Sequence, residues 1–258
     1  MSRSYVLYIG LLAAFWGASY LFIKVADRAF EPATMMMLRL LIASLIIVTV
    51  LAAQRGWSTT VSEMRALGWE GFALGIANGA IPFTLIAWGE KYIDSGVAAI
   101  ANATMPIFVV LLAMRFKPSE TVRGLRLVGF LVGLVGVGVL AGTSMIGGLL
   151  VLLPLGLAQL PSQVPGWKET GSVIALAVIG TALAQIILYR VLRSDGAARV
   201  SLVTYLLPAT ALIYGVLLLG EPLTWEELAG MALILGGVAL GSGAVRFARR
   251  EPVAAPTP

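Results

Sequence analysis

Two apolar segments of this chain occur twice, about 100 residues apart. The first copy reads VAAIANATMPIFVVLLAMRF followed by RLVGFLVGLVGVGVLAG, and the second reads VSLVTYLLPATALIYGVLLL followed by LAGMALILGGVALGSG. An offset of 102 places Pro106 on Pro208 and Asn102 on Thr204. An apolar helix with an internal proline, followed by a glycine-rich helix and present twice, indicates an internally duplicated membrane protein.

The composition agrees with a chain that lies mostly in a bilayer. Hydrophobic residues make up 59% and charged residues 12%, which excludes an ordinary soluble domain. The net charge of +5 does not indicate nucleic-acid binding, because the basic residues lie between the apolar runs, where they set the orientation of a membrane protein. The chain has no histidine and no cysteine, which excludes disulfides, thiol nucleophiles, imidazole bases and typical zinc sites. We therefore predict no catalytic residue, no metal and no cofactor.

The apolar runs predict helices that can each cross ~30 Å of hydrocarbon. The first half, residues 1–143, supplies helices over 5–25, 33–53, 67–88, 97–116 and 126–142, and the second half, residues 144–250, supplies helices over 173–192, 200–219 and 228–245. The first apolar run is interpreted as an uncleaved helix and not as a signal peptide. The Pro- and Ala-rich tail, residues 251–258, is predicted to be disordered.

The second half is too short for five such helices. It is about 37 residues shorter than the first half before its marker proline, and only Ile146–Gln159 stands where two helices are expected. That run is too short to span comfortably. Either a sixth helix is absent from this chain, or the run does not cross the membrane.

The basic residues distinguish these arrangements. With a cytoplasmic N-terminus and two inverted halves, thirteen basic residues lie on the cytoplasmic side and three, Arg28, Lys91 and Lys168, lie outside. If 146–159 crosses as the sixth of nine spans, eight lie on each side. The positive-inside rule favours the first arrangement. The sequence thus predicts an all-α integral membrane protein of two inverted repeats of five transmembrane helices, with the sixth helix absent and both termini cytoplasmic.

These features resemble the drug/metabolite transporter superfamily, specifically its ten-helix EamA-type exporters. The segment AFWGASYLFIK at Ala14–Lys24 is similar to the family's Trp-Gly-small-small opening, and Arg39 and the two marker prolines also match. Gly220-Glu221 ends the ninth helix as in the family. The first copy departs from the pattern, with FKPSE at 116–120 where Gly-Glu is usual. The absent sixth helix is the larger departure.

Within the superfamily, the sequence is most similar to bacterial amino-acid and metabolite exporters of the YddG type. The resemblance implies a basket of helices around a central cavity in the bacterial inner membrane. It implies alternating access and the export of a small-molecule substrate, such as an aromatic or other neutral amino acid. The oligomeric state stays open, with a monomer among the possibilities.

Polar side chains within apolar spans mark candidate substrate contacts, because they are costly in hydrocarbon. Asn102 and Thr204 each lie four residues before a marker proline, which frees the carbonyl at their own position. Two such positions from inverted halves would meet near the bilayer midplane, where transporter substrate sites form. The alternative is hydrogen bonding between helices, worth only ~0.6 kcal/mol on average.

Other candidates are aromatic or polar and share helix faces. The remaining predicted substrate contacts are Trp16, Ser19, Tyr20, Asn78, Trp88, Gln185, Tyr189, Tyr205 and Tyr214, and the predicted helix breaks are Pro82, Pro106 and Pro208. The aromatic rings could clamp an apolar substrate side chain. Helix packing is the alternative for the candidates on the first helix and for Asn78, and interfacial anchoring is the alternative for Trp88.

Lys24 and Arg39 are the basic residues well inside apolar spans. Either could attract a substrate carboxylate. The favoured alternative is that both snorkel to the outer interface, where Asp27 and Glu31 would be their partners.

No Asp or Glu is predicted deep in a span, and proton-driven transporters usually need such a group there. We therefore predict a facilitator or exchanger in which the two halves rock. A channel or lipid scramblase is the alternative function. A membrane enzyme would need a convergent set of reactive groups, which the sequence does not show. A structural subunit would not need paired polar positions at both prolines.

Overall fold

A computed structural model describes residues 3–105, 146–195, 200 and 202–241. Their regular structure is helical. In chain order the α-helices are α1 (Arg3–Ala26), α2 (Pro32–Arg55), α3 (Trp57–Gly75), α4 (Ile81–Glu90), α5 (Ser95–Asn102), α6 (Ile146–Ala158), α7 (Trp167–Ala177), α8 (Ala184–Asp195), α9 (Leu202–Tyr214) and α10 (Trp225–Gly241). Three π-helical segments, Ile76–Ala80, Val178–Leu183 and Gly215–Leu219, join α3 to α4, join α7 to α8 and extend α9.

Four continuous stretches are long and apolar enough to cross a membrane: Tyr5–Ala26, Pro32–Arg55, Gly68–Glu90 and Trp167–Ser194. This confirms the prediction of an all-α membrane protein. The predicted helix at 97–116 is described only as far as its beginning, α5. The predicted helix at 126–142 and the tail lie outside the described residues.

The third span begins with an additional helical piece that the hydropathy pattern did not predict. Gly68 adopts φ 45° and ψ −133° inside α3, a conformation that glycine reaches without the penalty of a Cβ. It separates the polar first part of α3 from the apolar span. Trp57 and Trp69 on either side of Gly68 are highly exposed, as expected of aromatic anchors at a membrane interface.

The helix α6 covers part of α2. Its glycines pack closely there: Gly156 lies against Met37, and Gly148 lies against Leu40 and the carbonyl of Gly75. Thr34 Oγ1 donates a hydrogen bond to the Gly156 carbonyl at 2.8 Å. The helix is about 20 Å long at helical rise, which is less than the thickness of the hydrocarbon. The residues that precede Ile146 lie outside the described part.

Contacts between helix ends define two ends of the bundle. At the Ser95 end, α1 and α4 finish and α5 begins, since Lys24 Nζ donates to the carbonyls of Glu90 and Ile93 at 2.6 and 2.7 Å. At the Tyr5 end, the first turns of α1 pack against Val191 and Val203. These contacts fix the direction of each helix.

Helices that correspond in the two copies run in opposite directions. The helix α5 begins at the Ser95 end, whereas the continuous helix Leu202–Leu219 ends there, because Glu221 accepts hydrogen bonds from Ser95. The third span ends at Glu90 of the Ser95 end. Its counterpart begins there, with Trp167 in the same small cavity as Val25.

The first helix is the centre of the described bundle. Its second half packs on α2, α4 and α7 around Met36, Leu40 and Leu176, and its first half packs on α8 and α9. Contact with α9 is close at Gly17, where an added Cβ would lie 2.8 Å from Thr210 Cβ. Thr210 Oγ1 also donates to the Ala13 carbonyl at 2.9 Å.

Candidate functional site

Arg39 is buried in the centre of the described helices. Its side chain on α2 is 3% exposed, and Nε donates a hydrogen bond to Thr181 Oγ1 at 2.8 Å. The guanidinium carbon lies 4.0 Å from the centroid of the Phe83 ring, which is cation–π distance. The prediction that Arg39 snorkels to the interface was therefore wrong, because a hydroxyl and an aromatic face within the bundle receive the guanidinium.

The acceptor of that bond sits on an irregular part of its helix. Thr181 lies within the π-helical segment Val178–Leu183, and its hydroxyl donates to the carbonyl of Leu176, five residues earlier, at 3.0 Å. The hydroxyl hydrogen is thereby engaged, and an oxygen lone pair faces Arg39. Such π segments often mark functional positions in helices.

Glu90, the last residue of α4, is fully buried. Both carboxyl oxygens have no hydrogen-bond partner in the part of the chain that the structure describes. Lys24, Glu221, Asp27 and Arg39 all act on it electrostatically. The sequence predicts no Asp or Glu deep in a span, and Glu90 is the last residue of the third span, Gly68–Glu90. It is a buried carboxyl that the sequence analysis did not identify.

Two predicted substrate contacts come together. Tyr20 of α1 is 5% exposed and packs on Ala98, Ala99 and Ala211. Its hydroxyl faces the side chain of Asn102 at the end of α5. Asn102 itself is exposed, so one side of this pair borders open space.

A polar network closes the Ser95 end of the bundle. Glu221 accepts hydrogen bonds from the Ser95 backbone N–H at 3.0 Å and from the Ser95 hydroxyl at 2.6 Å. A carboxylate at the first turn of α5 is favourable because it faces the positive end of the helix dipole. The bonds also link the two copies of the repeat.

The basic side chains of this end have fixed partners. Lys24 is half-buried and binds backbone carbonyls of Glu90 and Ile93, so it reaches the interface but not its predicted acidic partners. Those partners bind Lys91 instead, with Nζ 2.6 Å from Glu31 and 3.9 Å from Asp27.

The other candidates on the first three spans lie apart from the pair formed by Tyr20 and Asn102. The Ser19 hydroxyl donates to its own helix at the Phe15 carbonyl, 3.1 Å away, and packs on Gly180. Trp88 is 56% exposed and contacts Tyr92 edge to face, the position expected of an interfacial anchor. The remaining candidates there are the half-buried Trp16 and Pro82 and the exposed Asn78.

The candidates of the second half are only partly described. Gln185 and Tyr189 are half-buried one turn apart on α8, and Gln185 Oε1 is buried without a hydrogen-bond partner among the described residues. Tyr214 is half-buried at the end of α9, and Pro208 is buried within that helix. Pro106 and the side chains of Thr204 and Tyr205 lie outside the described part.

The predicted contacts do not line either of two concave regions of the described part. One of about 310 Å³ lies at the Ser95 end beside Trp167 and Lys168. The other, of about 230 Å³, lies between Gly68 and Ile146.

Sequence reasoning missed Thr181, Phe83, Glu90 and Ser95. Glu90 stands next to Lys91 at the end of an apolar run, a pattern typical of a solvated helix end. Thr181 is a lone hydroxyl in an apolar run, which hydrogen bonding within its own helix explains equally well. Phe83 is an aromatic residue in an apolar run, a pattern that ordinary helix packing explains equally well.

The chain matches a known family twice. The EamA-like transporter family matches residues 3–142 and again residues 138–243. The first match covers 140 residues and the second 106, a difference of 34. No solved structure matches the chain significantly.

Three curated relatives are similar to it. An uncharacterized transporter of Archaeoglobus fulgidus is 25% identical over 272 residues, which cover 89% of this chain and 95% of the relative. The uncharacterized transporter YdfC of Bacillus subtilis is 25% identical over 272 residues, with 88% and 87% covered. Protein PagO of Salmonella typhimurium is 25% identical over 124 residues, with 48% and 40% covered.

Proposed function

The chain belongs to the EamA-like transporter family, and we propose that it exports small metabolites, namely aromatic and other neutral amino acids, across the inner membrane of a bacterium. The proposed mechanism is alternating access: the two halves rock against each other and expose a central site to one side of the membrane at a time. Membership makes the chain a membrane transporter. Substrate class, direction and mechanism are the proposal.

The opposite directions of corresponding helices support inverted repeats. Two pairs of helices related by the sequence offset of 102 run in opposite directions between the Tyr5 and Ser95 ends. Inverted-topology repeats place a shared site near the bilayer midplane. The shorter second family match, by 34 residues, is close in size to one helix with its connection, which supports the absence of the sixth helix.

The observation that carries the proposal is the contact between the Tyr20 hydroxyl and the Asn102 side chain, on which the Arg39 guanidinium acts electrostatically. A hydroxyl and an amide supply donors and acceptors for the polar groups of a zwitterion. A guanidinium is the side chain best suited to a carboxylate.

The orientation follows from charge. Among the described residues, Arg28, Lys91 and Lys168 belong to the Ser95 end, whereas Arg55, Arg190 and Arg193 belong to the Tyr5 end. With the positive-inside rule, this bias supports a cytoplasmic Tyr5 end, and we propose that both termini are cytoplasmic. The bonds between Ser95 and Glu221 then close the outer side of the transporter.

The test is counterflow in proteoliposomes, with tritiated phenylalanine and threonine as the probes. Exchange should be saturable and should fall strongly in Asn102→Ala. A matched control is Gln54→Ala, which changes an exposed polar residue at the Tyr5 end of α2. Solute flux or lipid flipping without saturation would favour the channel or scramblase alternative. Absence of counterflow with both probes would remove amino acids from the proposal.

A further inference from the structure

We propose that Glu90 is a proton-binding site that couples substrate export to proton entry. The carboxyl would take up a proton from the outer side and release it to the cytoplasm in each transport cycle. This inference rests on the proposed function, since the proton is exchanged for exported substrate. It replaces facilitated transport as the driving force.

The first argument is burial without a partner. The Glu90 side chain is 0% exposed, and neither carboxyl oxygen has a hydrogen-bond partner among the described residues. The described ion pairs of this end join Lys91 to Asp27 and Glu31 and do not include the Glu90 carboxyl, and Lys24 binds the backbone carbonyl of Glu90, not its carboxyl. An ionised carboxylate in such a place is strongly unfavourable. A protonated carboxyl is the form compatible with this closed state.

The second argument is the set of groups around it. The charged and titratable groups that face Glu90 are Lys24 and Tyr20 of α1, Asp27 of the following loop, Arg39 of α2 and Glu221 after α9. Two further carboxylates oppose ionisation, and two cations favour it. A small movement of these carboxylates or of these cations therefore changes whether the protonated or the ionised form of Glu90 is the stable one.

The third argument is the position of Lys24. Its ammonium is held by the carbonyls of Glu90 and Ile93 in the turn that precedes α5. That turn leads directly to Ser95, the group bound by Glu221. If separation of Ser95 from Glu221 opens the outer side, it also moves these carbonyls and admits water to the Glu90 carboxyl.

These contacts give an order of events. When the outer side opens, water reaches Glu90, and the carboxylate takes up a proton as substrate leaves. Closure of the Ser95 end buries the neutral carboxyl. After the change to the cytoplasmic-facing form, the proton leaves to the cytoplasm as the next substrate binds near Tyr20. One proton enters for each substrate exported.

The test compares Glu90→Gln with Glu70→Gln, which changes an exposed acid at the other end of the same span. In proteoliposomes, a pH gradient should accelerate transport of tritiated phenylalanine by the parent protein and by Glu70→Gln. It should have no effect on Glu90→Gln, which should keep counterflow in the absence of a gradient. A gradient effect that persists in Glu90→Gln, or is absent from the parent, overturns the inference and leaves the proposed function intact.

A second measurement needs no substrate. Infrared difference spectra of the purified protein in lipid, recorded between two pH values, should show the carbonyl stretch of a titrating protonated carboxyl. The band should be lost in Glu90→Gln and kept in Glu70→Gln. If counterflow fails with both amino acids, the proposed substrate is wrong, and this band still decides whether Glu90 binds a proton. If the parent protein lacks this infrared band, Glu90 is not a proton-binding site.

Discussion

Arg39 and Thr181 lie 142 positions apart, and a 2.8 Å hydrogen bond joins them inside the bundle. One belongs to the first copy of the repeat and the other to the second. Because a buried guanidinium cannot easily lose its proton, this bond fixes a positive charge at the seam of the two halves. Both of its partners are buried.

Removing the acceptor should destabilise the protein. In Thr181→Val the Arg39 Nε–H keeps its burial and loses its partner, which costs about 1–3 kcal/mol. Thr49→Val is the matched control, since Thr49 is exposed on α2 and binds only its own helix at the Leu45 carbonyl. Thermal unfolding in detergent measures both variants. Equal melting temperatures for the two would show that the Arg39–Thr181 bond does not contribute to stability.

A methyl group at Gly17 should disturb the contact between α1 and α9. An added Cβ would lie 2.8 Å from Thr210 Cβ and 3.1 Å from the Ala211 backbone nitrogen, so the helices must separate. We expect Gly17→Ala to destabilise the protein by about 1–3 kcal/mol, the usual cost of overpacking.

The control for Gly17 lies on the same helix. Gly10 has no atom within 4 Å of an added Cβ, so Gly10→Ala should be neutral or slightly stabilising, because alanine favours the helix. Thermal unfolding of both variants in the same detergent measures the difference. A Gly17→Ala protein as stable as Gly10→Ala would contradict the close packing.

Asp27 should make stability depend on pH. Burial raises the pKa of its carboxyl above the ordinary value of 3.8, and Lys91 opposes the shift. Because the folded state holds this proton more tightly, the contribution of Asp27 is fully present below pH 3.8 and is lost as pH rises through the folded pKa. Asp27→Asn should therefore gain melting temperature relative to the parent between pH 3.5 and pH 7, about the span of that titration. A difference in melting temperature between the two proteins that does not change with pH would contradict this prediction.

Hydropathy was enough to predict the helices but not every contact between them. The first two described helices match the predicted spans to within two residues at each end, because an apolar run of membrane length has few alternatives. The polar piece at the start of α3 was missed, since an interfacial helix has no such run. The unequal distribution of basic residues between the two sides of the membrane also predicts which helix ends lie on the same side.

The polar site was only partly predictable. Tyr20 and Asn102 stand out in sequence because each is polar within an apolar span. The surroundings of Glu90 include Lys24 of α1 and Glu221 from the other copy, so no local pattern contains them. Arg39 was assigned to the interface because the nearest acids in sequence lie there. Its actual partner is a distant hydroxyl that looks ordinary in sequence.

The bonds between Ser95 and Glu221 should control access from the outer side. Because the chain has no cysteine, a single cysteine at Ala98, buried just below these bonds, can report opening through its reaction with a membrane-impermeant maleimide. Glu221→Gln removes the charge that faces the first turn of α5 and weakens both hydrogen bonds, since charge-assisted bonds are roughly twice as strong as neutral ones. We expect faster labelling from outside in this variant. Glu226→Gln, at an exposed acid of α10, is the matched control and should label at the parent rate. Equal rates in all three proteins would mean that opening of the outer side does not require Ser95 and Glu221 to separate.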